Sequence, residues 1–375
     1  MVISTKIRLF PTKEQEELFF KFSNTARFAY NESLAYRIDK YKSEGYSCKV
    51  QDLIEHLQDM KYSSDFSWLQ ETPEAVTKQA IKDLDKAYKL FFQRGNKGFP
   101  KFKRKGKCTV SFYQRTDKFK RVDDTHIKIT GIKQPVRIRE TILPTKVQNP
   151  RVTYDGKYWY ISLSFDVPTS VEPLSDETLG VDLGIKNLAV VSDNRVYKNI
   201  NKSSLLRKLE KKKIHLQHKL SRKYTLNKEG SNFVKTNNIL RLEQTLRLLN
   251  RRIKNIRDTY VHTVTADLVR TKPKRIVIED LNVSGMLKNK HLSKAIAQQN
   301  FYKFRQYLEY KCKYWGIDLV LADRFYPSTK LCSCCGHKKS FISLSTRTYK
   351  CECCGKEIDR DLNASLNLKN YGLAL

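Results

Sequence analysis

Leu179-Gly180-Val181-Asp182-Leu183-Gly184-Ile185 reads as an apolar strand with a single carboxylate inside it. A charge in such a strand costs several kcal/mol or more unless a cation or hydrogen bonds satisfy it. Gly184, just past the acid, permits close approach of a substrate backbone. A second apolar strand, Arg275-Ile-Val-Ile-Glu-Asp-Leu281, ends in Glu279, where side chains emerge at the C-terminal edge of a sheet. A third acid, Asp361, opens the last helix in Asp359-Arg-Asp-Leu-Asn-Ala-Ser365, and both the helix N-terminus and Asn363 are placed to orient it. Singly, each has a bland reading: a strand-end turn residue, a surface acid, a helix cap. Jointly, acids at the ends of two strands and a helix can converge to hold two magnesium ions. Such a pair activates water and stabilises the leaving oxygen of a phosphodiester. The seven histidines have no obvious nucleophile partner, and no phosphate-binding loop of the P-loop type is present.

Outward from the first acid the pattern is α/β. Leu188 to Val191 reads as a strand beside the first, and Ile317 to Leu321 as another, with a helix from about Ala297 to Trp315 before it. Between lies a long basic stretch. Ile239, Leu242, Leu246, Leu249, Ile253, Ile256 and Tyr260 recur there at spacings of three and four, a coiled-coil seam. Leu209, Leu216 and Leu220 supply its antiparallel partner, and Arg241, Arg247, Arg251, Arg252, Lys254 and Arg257 are expected on the outer face. Towards the N-terminus, Val2 to Leu9 alternates as a strand. Thr12 and Gln15 form a capping box, followed by apolar helical faces at Leu18, Phe19 and Phe22 and, in a second helix, at Ala26, Tyr30 and Leu34. Thr72-Pro73 opens a further helix as N-cap and first residue. Alternating strands at Ile127/Ile129 and Val136/Ile138, and a two-residue Asp155-Gly156 hairpin, predict a β-barrel or sheet that the N-terminal strand joins. Pro168 to Asp176 reads as a linker.

Cys332-Ser-Cys-Cys335-Gly and Cys351-Glu-Cys-Cys354-Gly are paired C-x-x-C knuckles with fifteen residues between them. Cys332, Cys335, Cys351 and Cys354 keep the register of a closed, structural Zn²⁺ site, with Cys334 and Cys353 left as possible alternates. A redox dithiol pair or an iron–sulfur cluster fits the paired knuckles less well. Six of the nine cysteines lie in this segment, which suits metal binding in a reducing cytosol better than disulfides. Charge points to the partner. Against 39 acids the chain carries 72 Lys and Arg, a net +33 that attracts polyanions. Arg94 to Arg121 holds eleven basic residues and one acid, interleaved with Phe99, Phe102, Phe112, Tyr113 and Phe119. This is a solvated loop on the bland reading and a nucleic-acid contact on the sharper one. Lys97, Lys101, Lys103, Arg104, Lys105, Arg115 and Arg121 are its candidate phosphate contacts. No long apolar span and no secretory leader is visible, so no membrane partner and a cytoplasmic, nucleoid-associated protein are expected.

At these residues the sequence resembles the TnpB (OrfB) family of transposon-encoded proteins, relatives of the type V CRISPR effectors. The resemblance rests on Gly180-Val-Asp-Leu-Gly-Ile-Lys-Asn-Leu-Ala189, Ile278-Glu-Asp-Leu-Asn-Val-Ser-Gly-Met286, the knuckles and Asp359-Arg-Asp-Leu-Asn-Ala364. Gly98-Phe-Pro-Lys-Phe-Lys103 and Leu9-Phe-Pro-Thr-Lys-Glu-Gln15 extend it over nearly the whole chain. It implies an α/β RuvC-type, RNase H-like nuclease domain over 176–327 with a helical insertion at 203–270. A zinc ribbon at 328–357 and a last catalytic helix at 358–375 would follow. Before them would stand a wedge β-barrel (1–10 and 94–170) and a helical recognition module (11–93). The resemblance also implies a guide RNA from the transposon end and cleavage of double-stranded DNA beside a short transposon-adjacent motif. Asp182, Glu279 and Asp361 match its catalytic triad, with two Mg²⁺ ions, replaceable by Mn²⁺. Asp361 is preferred to Asp359 because it keeps the Asp-x-Asn-Ala register. Ser365 departs from the family's usual Ala. A companion transposase is a further partner of this reading. The rivals are an RNA-guided DNA-binding repressor and an accessory transposition protein, neither of which would cut. A repressor on this fold is expected to lose one of the three acids, and this chain keeps them all.

Overall fold

The computed structural model describes residues 1–93, 98–140, 146–170, 172–230, 232–343 and 346–375. The chain divides into two compact units, Val2–Val167 and Pro168–Leu375.

In the first unit, β1 (Val2–Phe10) leads through the expected Thr12/Gln15 capping box into α1 (Lys13–Glu44). The sequence suggests two helices here; the structure has one of 32 residues. Ser23-Asn24-Thr25 interrupts the apolar pattern without breaking the backbone. Thr25 is buried, its hydroxyl donating to the Lys21 carbonyl at 3.0 Å and meeting the Thr72 hydroxyl at 3.0 Å. Helix α1 therefore serves two cores in turn. Phe19 and Phe22 pack with the sheet residues Ile7, Phe112 and Trp159. Ala29, Tyr30 and Leu34 pack with α2 (Val50–Tyr62) and α3 (Glu74–Phe92). Pro73, not Thr72, caps α3, which leaves Thr72 free for the contact with Thr25.

The sheet adds β2 (Val110–Tyr113), β3 (Lys120–Arg121), β4 (His126–Lys128), β5 (Val136–Ile138), β6 (Val147–Tyr154) and β7 (Trp159–Asp166). Its order is β2-β6-β7-β1-β5-β4-β3, antiparallel throughout, so the N-terminal strand does sit within it. The β6–β7 turn is wider than two residues: Tyr154 pairs with Trp159, and the Asp155 carboxylate accepts from the amides of Lys157 and Tyr158 at 3.1 and 2.9 Å. An Asx turn replaces the expected tight hairpin.

The second unit is built on β8 (Ser175–Leu183), β9 (Asn187–Val191), β10 (Val196–Lys198), β13 (Pro273–Glu279) and β14 (Asp318–Ala322), in the order β10-β9-β8-β13-β14. Strands β8, β13 and β14 run parallel, while β9 pairs antiparallel with β8 and β10 antiparallel with β9. Between β10 and β13 stand α4 (Ser204–Leu226) and α5 (Asn237–Arg270), with the short ribbon β11 (Lys228–Glu229) and β12 (Asn232–Phe233) between them. The seam holds Leu206 and Leu209 against Leu249 and Ile253. Arg257 is not on the outer face. Its guanidinium donates to Asn201 at 2.7 Å and Glu210 at 2.8 Å, bracing the base of the helical pair.

The continuation of α5 packs Val261, Val264 and Leu268 on one sheet face, against Leu179, Val181, Ile276 and Ile278. Helices α6 (Val283–Met286), α7 (Ser293–Gln299) and α8 (Phe301–Trp315) follow β13, and Phe301, Phe304 and Leu308 complete that core. The single helix expected near Ala297 is two, parted at Asn300, which takes a left-handed φ of 57° and donates to Asp258 at 3.2 Å. The opposite sheet face is covered by α9 (Arg360–Leu373), reached through β15 (Thr348–Lys350) and β16 (Glu357–Asp359). Among the described residues no helix is long and apolar enough to cross a membrane.

Candidate active site

Alternation along β8 sends Leu179, Val181 and Leu183 into the core and turns Gly180 and Asp182 to the other face. Strand β13 does the same, with Ile276 and Ile278 inward and Val277 and Glu279 outward. The parallel register pairs Gly180 with Val277 and Val181 with Ile278. One step further along both strands, Asp182 and Glu279 lie side by side on the same face.

Helix α9 brings the third acid. A Cβ on Gly180 would overlap the Ser365 carbonyl oxygen and the Lys369 amide, and one on Gly372 would overlap Val277. Only glycines at these crossings let the helix lie so close to the strands. Asp361 then stands one turn upstream of the Gly180 crossing, at the helix N-terminus. The cap is Asp359, which accepts from the amides of Asp361 at 2.9 Å and Leu362 at 3.1 Å. Asp361 keeps its carboxylate, which is mostly buried and pairs with Arg360 at 3.3 Å. Asn363 does not orient it: this amide donates to Leu331 O at 2.6 Å and accepts from Ser333 N at 2.9 Å. The Ser365 departure is harmless, because its buried hydroxyl donates to the Leu362 carbonyl at 2.8 Å.

The electrostatics tie the three acids together. Burial first, then the negative charges of Glu279 and Asp361, push the Asp182 carboxyl well above its usual range, with Arg360 opposing. Burial raises Glu279 too, against a hydrogen bond from Ser328. The carboxylates feel one another, yet among the described residues they do not close to the mutual 4.8 Å of the cysteine ligands described next. Buried hard-oxygen donors with more negative charge than Arg360 can balance suit a divalent cation.

The loop after β14 carries Ser328 and runs directly into the first knuckle. Asn367, buried on α9, donates to the carbonyls of Ser328 and Leu331 at 2.7 Å each. The knuckles close on one another: Cys332, Cys335, Cys351 and Cys354 have sulfurs all within 4.8 Å. The pairs Cys332/Cys354 and Cys335/Cys351 stand at 3.6 and 3.5 Å, close to the edge of about 3.8 Å of a tetrahedron with Zn–S bonds of about 2.3 Å. Cys334 and Cys353 are exposed and outside the group. Gly336 and Gly355 have φ of 74° and 71°, and the turn amides around Cys351 lower that thiol to about 6. The donor set is compatible with one structural zinc.

Comparison with known proteins finds matches along most of the chain. Family models match at residues 1–46 (a helix-turn-helix domain), 145–290 ("Probable transposase", the OrfB family) and 301–368 ("Cas12f1-like, TNB domain"). A "Putative RNA-guided DNA endonuclease" of Streptomyces pristinaespiralis is 28% identical over 98% of this chain and 89% of its own length. InsQ of Escherichia coli K12, of the same description, is 29% identical over 99% and 92%. A "TnpB-like protein" of Acanthamoeba polyphaga mimivirus is 34% identical over 36% of this chain and 26% of its own. These matches support this chain as a member of the TnpB family. The fold of the chain is shared with a protein chain in the cryo-EM structure of a Cas12f1–sgRNA–target DNA complex, at a TM-score of 0.60 and 16% identity, over 96% of this chain and 83% of that one.

The basic loop of this chain is less uniform than its composition suggests. Lys97 lies outside the described residues. Lys101, Arg104 and Lys105 are exposed, as expected of phosphate contacts. Lys103 turns inward, its ammonium 3.6 Å from the centre of the Tyr30 ring, and burial lowers its pKa. Arg115 pairs with Asp117 at 2.6 Å, and Arg121 with Asp124. Sequence reasoning missed Ser328, Arg360 and the closeness required at Gly180; the role it gave Gly184 was a different one, close approach of a substrate backbone. A Cβ on Gly184 would meet only the Asn187 carbonyl at 3.3 Å. A glycine two positions before the acid, on the same strand face, was the signal available for Gly180.

Proposed function

We propose that this chain is an RNA-guided, metal-dependent DNA endonuclease of transposon origin that cuts beside a short transposon-adjacent motif. The observation that carries the reading is the convergence of Asp182, Glu279 and Asp361 from two parallel strands and a helix, with Asp182 raised by burial and then by the other two. The relatives described as RNA-guided DNA endonucleases over most of their length support it. The β10-β9-β8-β13-β14 order supports assigning the second unit to the RuvC-type fold. Residues 1–10 and 94–170 are assigned to the wedge, and 11–93 to the recognition module.

Asp182, Glu279 and Asp361 would hold two magnesium ions, which supply water activation and charge stabilisation at the leaving oxygen. The protein's own parts prepare that centre. Ser328 fixes the Glu279 carboxylate by its hydrogen bond. Asp359 takes the capping amides, so Asp361 need not. The cysteine cluster, with zinc bound, anchors the loop that Asn363 and Asn367 fasten to α9. The guide RNA reads sequence by pairing, while the protein's +33 charge holds phosphates.

The test incubates protein, its copurified RNA and target DNA with and without magnesium. Cleavage is expected only with the metal, and Asp182→Ala should abolish it while RNA and DNA binding persist. Magnesium-dependent binding without cleavage would favour the repressor, and parallel loss of binding in Asp182→Ala would make that residue structural.

A further inference from the structure

Glu279 lines two open grooves, of about 570 and 540 Å³, that meet at Asp280 and Arg324. The sheet explains why. Glu279 pairs in register with Ala322 on β14, so Asp280 and the segment Asp323-Arg324-Phe325 leave the sheet at the same edge. Asp280 accepts from Arg305 of α8 at 3.0 Å and from Arg324, and the Arg305 guanidinium also donates to Glu309 at 2.8 Å. A carboxylate next in sequence to a candidate metal ligand thus keeps two guanidiniums at the boundary of the grooves. Both arginines remain partly open to solvent. Beyond them, Phe325 is 87% exposed, its amide bonded to the Asp323 carboxylate at 2.7 Å in a turn that presents the ring outward. Tyr302, 65% exposed, stands on the opposite groove.

A large aromatic ring this exposed gains nothing in the fold, and paired guanidiniums beside it match a phosphate better than a carboxylate shared between two. Stacking rings next to phosphate-binding cations are the means by which proteins hold single strands, whose base faces are free. We propose that Arg305, Arg324 and Phe325 clamp single-stranded DNA on its way to Glu279. The two arginines transfer from Asp280 to one backbone phosphate, Arg305 keeping its Nε on Glu309, and Phe325 stacks on the adjacent base. The choice of DNA rests on the endonuclease reading; the clamp itself rests on the grooves.

The test uses the full chain with its copurified RNA in an Asp182→Ala background, so that cleavage does not enter. A short deoxyoligonucleotide carrying 5-iodouracil is photocrosslinked and the modified peptide mapped. The crosslink is expected at Phe325 or Tyr302. Removing Arg305 and Arg324 together as alanines should cut its yield roughly tenfold, while Asp280→Asn should raise it. Unchanged thermal melting confirms folding of each variant, since the altered groups are at the surface. Crosslinks confined to other segments, or a yield indifferent to the arginines, overturn the clamp even if the wild type cuts DNA. A ribo-oligonucleotide crosslinking there in place of DNA overturns the choice of strand. Failure of the endonuclease reading would show separately, as wild-type protein that crosslinks at Phe325 and never cuts.

Discussion

At the scale of residues, the account turns on Asp182. Its carboxyl is raised by burial and by two neighbouring acids, so the folded, metal-free protein resists ionising it. The favourable contribution of the neutral acid is complete below the unfolded pKa, about 3.9, and is lost as pH rises through the raised folded value. Asp182→Asn should therefore melt higher than the wild type in magnesium-free buffer at pH 8. The gap should shrink towards pH 4 and also on adding magnesium. Scanning fluorimetry across pH checks this, and an asparagine variant melting lower at pH 8 would contradict it. The neighbouring acids divide their tasks: Asp359 caps a helix, and Asp361 pairs with Arg360 and is not used by the cap. Residue type and register chose Asp361 from sequence, yet the partner of Glu279 was invisible. Ser328 is 49 positions away, and only the path of the loop after β14 brings it close.

At the scale of elements, the site depends on how closely α9 lies on β8 and β13. Gly180→Ala places a methyl carbon against helix backbone rather than a yielding side chain. The expected cost is about 2 kcal/mol or more, with cleavage lost as Asp361 shifts away from Asp182. Chemical denaturation and a cleavage assay measure the two effects. The knuckles act on the same helix through its N-terminal half. Cys351→Ser should take the zinc content from one ion per chain to near zero by elemental analysis, and cleavage should fall with it, because the loop bonded to Asn363 and Asn367 loses its anchor. Strands, knuckles and the last helix were legible because alternation, cysteine spacing and a cap are local signals. Helix ends were less so. Ser23-Asn24-Thr25 looked like a break because Thr25 finds its partner Thr72 only in the folded unit, and Asn300 breaks a helix whose apolar pattern runs on.

At the scale of the whole molecule, the charge of +33 and the order of motifs indicated a nucleic-acid partner and a family, but not which cations face outward. Lys103 and Arg257 show why: a basic residue in a basic stretch can equally brace an aromatic ring or a half-buried carboxylate. The candidate centre is itself a property of the whole second unit, since its acids come from positions 182, 279 and 361 and meet only if the sheet and the last helix dock as described. The most direct test is anomalous diffraction from crystals soaked in Mn²⁺. The account predicts a manganese peak bonded by Asp182 together with Glu279 and Asp361, separate from the zinc peak at the four cysteines. A zinc peak at the cysteines with no manganese shared among those three acids would contradict it.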